Sequence, residues 1–307
     1  MKILITGGAG FIGSSLANHL CKEHEVTVVD SLFLGDQKNL DKKVTFIKED
    51  VRNPNGLENI FSKKFDYVFH LAAISSAPMY LDGKEPDPRV WVDVNIGGFT
   101  NVIELCRKTG VKKLVYASTS SIYSGNPLPF SESQKITPKT FYETTLYCRE
   151  FIADTYMRMH GFPSVGLRYF AVYGYNERHK GVYANLISQF LWDMLENKPP
   201  VIYGDGSQTR DFTFISDIVD ATILAMKTDM NGVYNVGTGK NYTAGELIKI
   251  MNHVIGKDIK PKYITNPLKN YVANTLADIT KIKAYGFRPK ISLEEGIRLL
   301  YKFYTEK

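Results

Sequence analysis

The first thirteen residues, MKILITGGAGFIG, constrain the fold more than any other stretch. Ile3-Leu4-Ile5 is a short apolar run suited to a buried strand, and Gly7, Gly8, Gly10 and Gly13 turn the backbone into a helix opening near Phe11. Such a turn suits a phosphate. Glycines let the main chain approach it closely, and the helix start directs unpaired N–H groups and the positive end of its dipole toward it. Taken alone, the glycine spacing also fits an ordinary strand-to-helix turn.

The next segment favours the phosphate. Ile12, Leu16, Ala17 and Leu20 give a helical period, followed by the strand Glu25-Val26-Thr27-Val28-Val29, which ends in Asp30. An acidic residue there is placed to accept hydrogen bonds from ribose hydroxyls, with Ser31 beside it. Met1–Asp30 therefore reads as a dinucleotide-binding βαβ unit, with Gly7, Gly10, Phe11, Ile12, Gly13, Asp30 and Ser31 toward the cofactor. Asp30 would repel a 2′-phosphate, so NAD is favoured over NADP, although Lys22 and His24 lie nearby.

The chain's 307 residues can bury a large core and suit one α/β domain or two lobes. A formal charge of +6, spread without a basic block, suits an anionic nucleotide and gives no sign of a nucleic-acid partner. No apolar stretch approaches the ~20 residues of a membrane-spanning helix, and a strand at residue 3 leaves no room for a signal peptide. No membrane partner and a cytoplasmic location are expected. Cys21, Cys106 and Cys148 are widely spaced on predicted helices and suggest neither disulfides nor a metal site.

Strand and helix patterns alternate through the first half. Strands are expected at Val44–Ile47, Tyr67–His70, Lys113–Ala117 and Val165–Tyr169, and helices over Pro54–Ser62, Arg89–Lys108 and Phe141–His160, with an irregular stretch from Ile74 to Pro88. After Gly174 come helical patterns at Tyr183–Asn197, Asp217–Lys227 and Gly245–Ile255, with short strands near Pro200–Tyr203, Thr209–Phe214 and Val233–Val236. This predicts an α/β chain: a Rossmann-type doubly wound parallel sheet over 1–174 and a smaller C-terminal α/β substrate lobe over 175–307, with the chain able to cross between lobes.

The TGGAGFIG turn, with spacing G-x-x-G-x-x-G, resembles that of the extended short-chain dehydrogenase/reductase family. The resemblance implies that Asp50 and Val51 hold the adenine edge, and that Leu71, Ala72, Ala73, Asn95 and Tyr169 line the cofactor trough. Ala117–Tyr123, ASTSSIY, is similar to the family's hydroxyl-rich segment and implies that Thr119 donates to a reacting sugar oxygen. Taken as a bare sequence, it is a loop bonding its own backbone. Ser120 and Ser121 stand where sugar 4,6-dehydratases carry Asp and Glu, so dehydration is disfavoured.

Tyr142, 23 residues after Thr119, occupies the place of the family's catalytic tyrosine. A phenol is a poor base at neutral pH unless its pKa is lowered, which the family achieves with a lysine four residues on. That position is Leu146 here. A site using another cation, a deliberately altered residue, and a nucleotide-sugar binder without turnover all fit this departure.

In the second half, LRYFAVYG (Leu167–Gly174) and YGDGSQTRDF (Tyr203–Phe212) resemble two further family motifs, which implies that Arg210 clamps a diphosphate. The bland reading of Arg210 is an ion pair with Asp205 or Asp211. Asn185, Leu186, Val201 and Tyr203 match segments flanking the nucleotide. Ala171 replaces an asparagine, and Lys269 stands near the place of a second arginine. Ser76, in a segment similar to that of UDP-N-acetylglucosamine 4-epimerases, and the small Thr275 leave room for an acetamido group, whereas Tyr271–Asp278 resembles a segment of ADP-heptose 6-epimerases.

The resemblance to nucleotide-sugar 4-epimerases of the UDP-glucose and UDP-N-acetylglucosamine type covers nearly the whole chain. It implies NAD-dependent inversion at C4 of a UDP-hexose through a 4-keto sugar, with Tyr142 and Thr119 as catalytic residues and a homodimer built on the helices around Arg89–Lys108 and Phe141–His160. A silent nucleotide-sugar binder, a heptose 6-epimerase and an oxidoreductase releasing NADH are the rival expectations.

Overall fold

The computed structural model describes residues 1–74, 87–266 and 272–306. Strands β1 (Lys2–Thr6) and β2 (Glu25–Asp30) flank helix α1 (Phe11–Leu20), which buries Phe11, Leu16, Ala17 and Leu20. β3 (Thr45–Lys48), α2 (Pro54–Phe61) and β4 (Tyr67–His70) follow. Asn53 caps α2 by accepting the Gly56 N–H, and Pro54 fills its first turn, where a missing N–H breaks no helical bond.

The single helix expected over Arg89–Lys108 is three segments: α3 (Pro88–Trp91), a π-helical stretch (Val92–Gly98) and α4 (Phe99–Thr109). The wider turn buries the Asn95 side chain, which accepts from Ile74 N–H at 2.9 Å and donates to Ile74 O at 3.1 Å. It also brings Gly98 against Val51, whose Cγ2 would lie 2.5 Å from a Cβ at that position. β5 (Lys113–Thr119) and β6 (Ser164–Tyr169) are joined through α5 (Phe141–His160), as expected. Thr140 caps α5 by accepting the Glu143 N–H, and Gly161, at φ +64°, ends it.

Beyond β6 the elements are short: β7 (Val172–Tyr173), a 3₁₀ turn (Arg178–Tyr183), α6 (Leu186–Leu195), β8 (Val201–Tyr203), β9 (Thr209–Arg210) and β10 (Thr213–Phe214). Then come α7 (Ile215–Lys227), β11 (Gly232–Val236), β12 (Tyr242–Thr243), α8 (Ala244–Ile255), β13 (Lys262–Ile264), α9 (Thr280–Lys283) and α10 (Leu293–Thr305). The strand expected over Thr209–Phe214 is divided, β9 pairing with β12 and β10 with β7. The break falls at Asp211, whose buried carboxylate accepts from the N–H groups of Thr238, Gly239 and Ala277. α10, an amphipathic helix capped by Ser292, was not foreseen from the sequence.

Seven of these strands form one parallel sheet in the order β11-β6-β5-β4-β1-β2-β3. Successive strands run outward on either side of the β1/β4 junction, which places a crevice outside the carboxyl ends of β1 and β4. α1 and α7 pack together over one face, and α2, α4 and α5 cover the other. Both faces are therefore buried, which is why the strands read as continuous apolar runs. β11 comes from beyond residue 174 and pairs with β6, so the second part of the chain completes the first part's sheet.

Candidate active site

Gly7 leaves the end of β1 at φ +69° and donates its N–H to Val29 O at 2.8 Å. A Cβ on Gly7 would lie 2.4 Å from Ala72 N, and one on Gly13 would lie 2.3 Å from Gly7 O. Only glycine at both positions lets the turn lie this close to the end of β4. Gly10 is the N-cap of α1 and offers no side chain, so the donors of the opening turn are the backbone N–H groups of Phe11, Ile12 and Gly13.

Asp30 closes this cradle. Its carboxylate accepts from Ala9 N–H at 3.0 Å and Leu32 N–H at 2.8 Å, while Ser31 is exposed. Burial raises the Asp30 carboxyl above its ordinary range, and the two N–H bonds oppose that rise. Asp50 is held in a fork by Arg52, Nε to Oδ1 at 3.0 Å and Nη2 to Oδ2 at 2.8 Å, which lowers its pKa. Val51 is buried, and Leu71, Ala72 and Ala73 are half-buried beyond β4.

Thr119 and Tyr142 come together. Thr119 ends β5, is 6% exposed and accepts the Ser121 N–H at 3.2 Å. Tyr142 lies in the first turn of α5 with its hydroxyl toward that of Thr119; burial pushes the phenol up, and the Thr119 hydroxyl pulls it down. One turn on, Leu146 is 3% exposed.

Two turns on lies Arg149, fully buried. It donates from Nε to Asn95 O at 2.7 Å, from Nη2 to Ala72 O at 2.9 Å and Asn95 Oδ1 at 3.2 Å, and from Nη1 to Ala117 O at 3.4 Å. No carboxylate pairs with it among the described residues. Burial pulls its guanidinium down to about 9, which leaves it charged at neutral pH. His70, buried at the end of β4, shares a 2.8 Å hydrogen bond with Thr6 Oγ1 through Nδ1, and its Nε2 has no partner among the described residues. Burial, and then the Arg149 charge, hold it well below its ordinary pKa and therefore neutral.

Behind the site, Glu150 accepts from Ser118 Oγ at 2.6 Å and pairs with Arg168, which also donates to the Tyr123 hydroxyl. Tyr123 in turn donates to Asn235 Oδ1 at 2.8 Å. Sequence reasoning missed this network and Arg149. Arg168, a charged residue inside the apolar strand run Val165–Tyr169, was the available signal.

Beyond residue 174, Asn185 caps α6, accepting Ile187 N–H at 3.0 Å and donating to Val172 O at 3.0 Å, while Leu186 is half-buried. Val201 and Tyr203 lie on β8. Arg210 Nη1 donates to Thr209 O and Ala273 O, both at 2.8 Å. Of the neighbouring carboxylates, Asp205 accepts from Ser207, and Asp211 accepts from the 238–239 turn and Ala277. Thr275 is buried and accepts the Asp211 N–H at 3.0 Å. Tyr169 shares a 2.9 Å hydrogen bond with Thr222 Oγ1, which commits its phenol to α7. Ser76, Lys269 and Tyr271 lie outside the described residues.

Residues 3–237 match the model of the NAD dependent epimerase/dehydratase family. The chain belongs to this family. It is 36% identical to a putative UDP-glucose 4-epimerase of Methanocaldococcus jannaschii, with 96% of each chain covered. Among solved structures it is similar to the UDP-N-acetylglucosamine 4-epimerase of Methanobrevibacter ruminantium M1 in complex with UDP-N-acetylmuramic acid, at 34% identity and TM-score 0.92, covering 99% of this chain and 98% of that one. It is likewise similar to the UDP-glucose 4-epimerase of Thermotoga maritima with UDP-glucose, at 34% identity and TM-score 0.91 over the full length of both.

The cofactor of an NAD dependent epimerase fits the residues present. Gly7 and Gly13 let the turn pack without a Cβ against the Ala72 backbone and the Gly7 carbonyl, the α1 opening supplies backbone donors, and Asp30 is positioned by two N–H groups. No helix among the described residues is long and apolar enough to cross a membrane.

Proposed function

We propose that this epimerase inverts C4 of a UDP-hexose, interconverting the glucose and galactose forms or their N-acetylated counterparts. The pairing of Thr119, at the carboxyl end of β5, with Tyr142, in the first turn of α5, on the same sheet end as the Gly7–Asp30 cradle, carries the reading. When bound, NAD supplies a hydride acceptor that returns the hydride, so it ends as it began. Gly7, Gly10, Phe11, Ile12 and Gly13 bind its pyrophosphate, Asp30 and Ser31 its adenosine ribose, and Asp50 and Val51 its adenine. Leu71, Ala72, Ala73 and the Tyr169 ring wall the trough, while Asn95 acts through the Ile74 segment that it ties down.

Tyr142 is the base that takes the proton of the sugar's 4-hydroxyl, and Thr119 donates a hydrogen bond to the same oxygen. With C4 a carbonyl, the hexose turns so that the other face of C4 is presented, and Tyr142 gives the proton back to the C4 oxygen. Arg210 holds the diphosphate while the hexose turns, and Asn185, Leu186, Val201 and Tyr203 flank the base. Thr275, a small residue near Arg210, leaves room at the sugar for an acetamido group.

The working unit is a homodimer, for which the exposed Val92, Phe151 and Met159 on the α3–α5 helices are the support. The lobes divide near residue 174, with β11 and α7 returning to the first. The three cysteines are free, which suits a cytoplasmic enzyme. Incubation with UDP-glucose and with UDP-N-acetylglucosamine, followed by separation of the epimers, tests the proposal.

A further inference from the structure

Tyr142, Leu146 and Arg149 stand at i, i+4 and i+7 of α5 and therefore share one helix face. A phenol that takes a proton near neutral pH needs a positive charge close by, and the residue one turn on, Leu146, is aliphatic. The cation on this face is Arg149. Helical side chains lean toward the N-terminus, so its guanidinium reaches back toward the Tyr142 end. Its donors are spent on neutral acceptors, Asn95 O, Asn95 Oδ1, Ala72 O and Ala117 O, so among the described residues no carboxylate cancels its charge. A buried, hydrogen-bonded, unneutralised guanidinium projects its field through a medium that screens poorly.

We propose that Arg149 is the positioning cation of the site, fixed by the ends of β4 and β5 and by the π-helical turn so that its charge stabilises the ionised form of Tyr142 in place of a cation at position 146. The inference rests on Tyr142 being the acid/base. The other groups around the pair do not do this. His70 of β4 is neutral, Tyr116 of β5 is a buried phenol held protonated, and Glu150 is neutralised by Arg168 of β6. Asp93 of the π-helical stretch is exposed, and Glu143 at the start of α5 pushes the Tyr142 phenol up, while Arg149 pulls it down. The π-helical turn gains a purpose, because it turns the backbone and side chain of Asn95 together toward the guanidinium.

The test reads the phenol directly, in the full chain without substrate, so it stands apart from whether a UDP-hexose is turned over. Tyr142 is replaced by 3,5-difluorotyrosine, which lowers the titration into the range of the folded chain, and its midpoint is followed by ¹⁹F NMR. Arg149→Gln, which keeps donors for the carbonyls but removes the charge, is expected to raise the midpoint by a pH unit or more, a tenfold loss of phenolate. Arg149→Lys should hold it within a few tenths, and Leu146→Lys added to Arg149→Gln should bring it back. A purely structural role moves the Gln and Lys variants alike, and that result, or an unmoved midpoint in Arg149→Gln, overturns the proposal. If Arg149→Gln does not fold by circular dichroism, the Leu146→Lys, Arg149→Gln double variant and Arg149→Lys are compared with the parent. A midpoint raised by a unit in either overturns it, and midpoints matching the parent support it.

Discussion

Glu150 and Arg168 form a two-pronged ion pair across α5 and β6, Arg168 Nε to Glu150 Oε1 at 2.9 Å and Nη2 to Oε2 at 2.5 Å, with both side chains buried. Breaking such a pair leaves one charge uncompensated in the interior, at a cost of about 3–5 kcal/mol, whereas replacing both ions with apolar groups recovers much of it. Glu150→Leu alone should lower the urea unfolding free energy by that amount, and adding Arg168→Met should restore a large part.

Two glycines in left-handed backbone separate strain from contact. Gly161, at φ +64°, has nothing within 4 Å of a Cβ, so Gly161→Ala should cost about 1 kcal/mol of stability and leave NAD affinity unchanged. Gly7→Ala meets the Ala72 backbone at 2.4 Å and should abolish NAD binding measured by calorimetry.

His70 is buried and its pKa is depressed, so the folded chain holds it neutral while the unfolded chain protonates it below about pH 6.5. Its contribution to stability is full above that pH and is lost as the pH falls toward the depressed folded value, at about 1.4 kcal/mol per pH unit. Denaturant titrations between pH 7 and 5 should therefore slope less steeply for His70→Gln by about one proton. His179, also depressed by burial, remains in both chains and accounts for part of the residual slope.

Asp30 is held by Ala9 and Leu32, aimed where a ribose would lie. Asp30→Asn removes a charged acceptor, and the loss of about 1.5–3 kcal/mol predicts roughly a 10- to 100-fold weaker affinity for NAD by calorimetry, with discrimination against NADP reduced.

The sheet was legible because its strands are buried on both faces and separated by polar turns, and the bounds expected for α5 match the helix that Thr140 and Gly161 close. The π-helical turn was not legible, since one widened turn leaves the apolar period of Val90, Val94, Val102 and Leu105 nearly intact. Thr119 and Tyr142 are implied by the resemblance, and the fold places them together. Arg149 was not legible because it stands two turns beyond Tyr142 and is buried against carbonyls of Ala72, Asn95 and Ala117 that lie far from it in sequence. The Asp211 turn was hidden because a run such as Thr209–Phe214 gives no sign that a buried carboxylate will gather donors from residues 238–239 and 277.

The most direct test of the central claim is to incubate the chain with NAD⁺ and, separately, UDP-glucose, UDP-N-acetylglucosamine and ADP-heptose, and to separate the epimers. One UDP-hexose should approach a mixture of C4 epimers without net NADH, and Tyr142→Phe should slow this by about 10²–10⁴-fold. Conversion of ADP-heptose alone, steady release of NADH, or binding of the sugars with no epimer formed would contradict it.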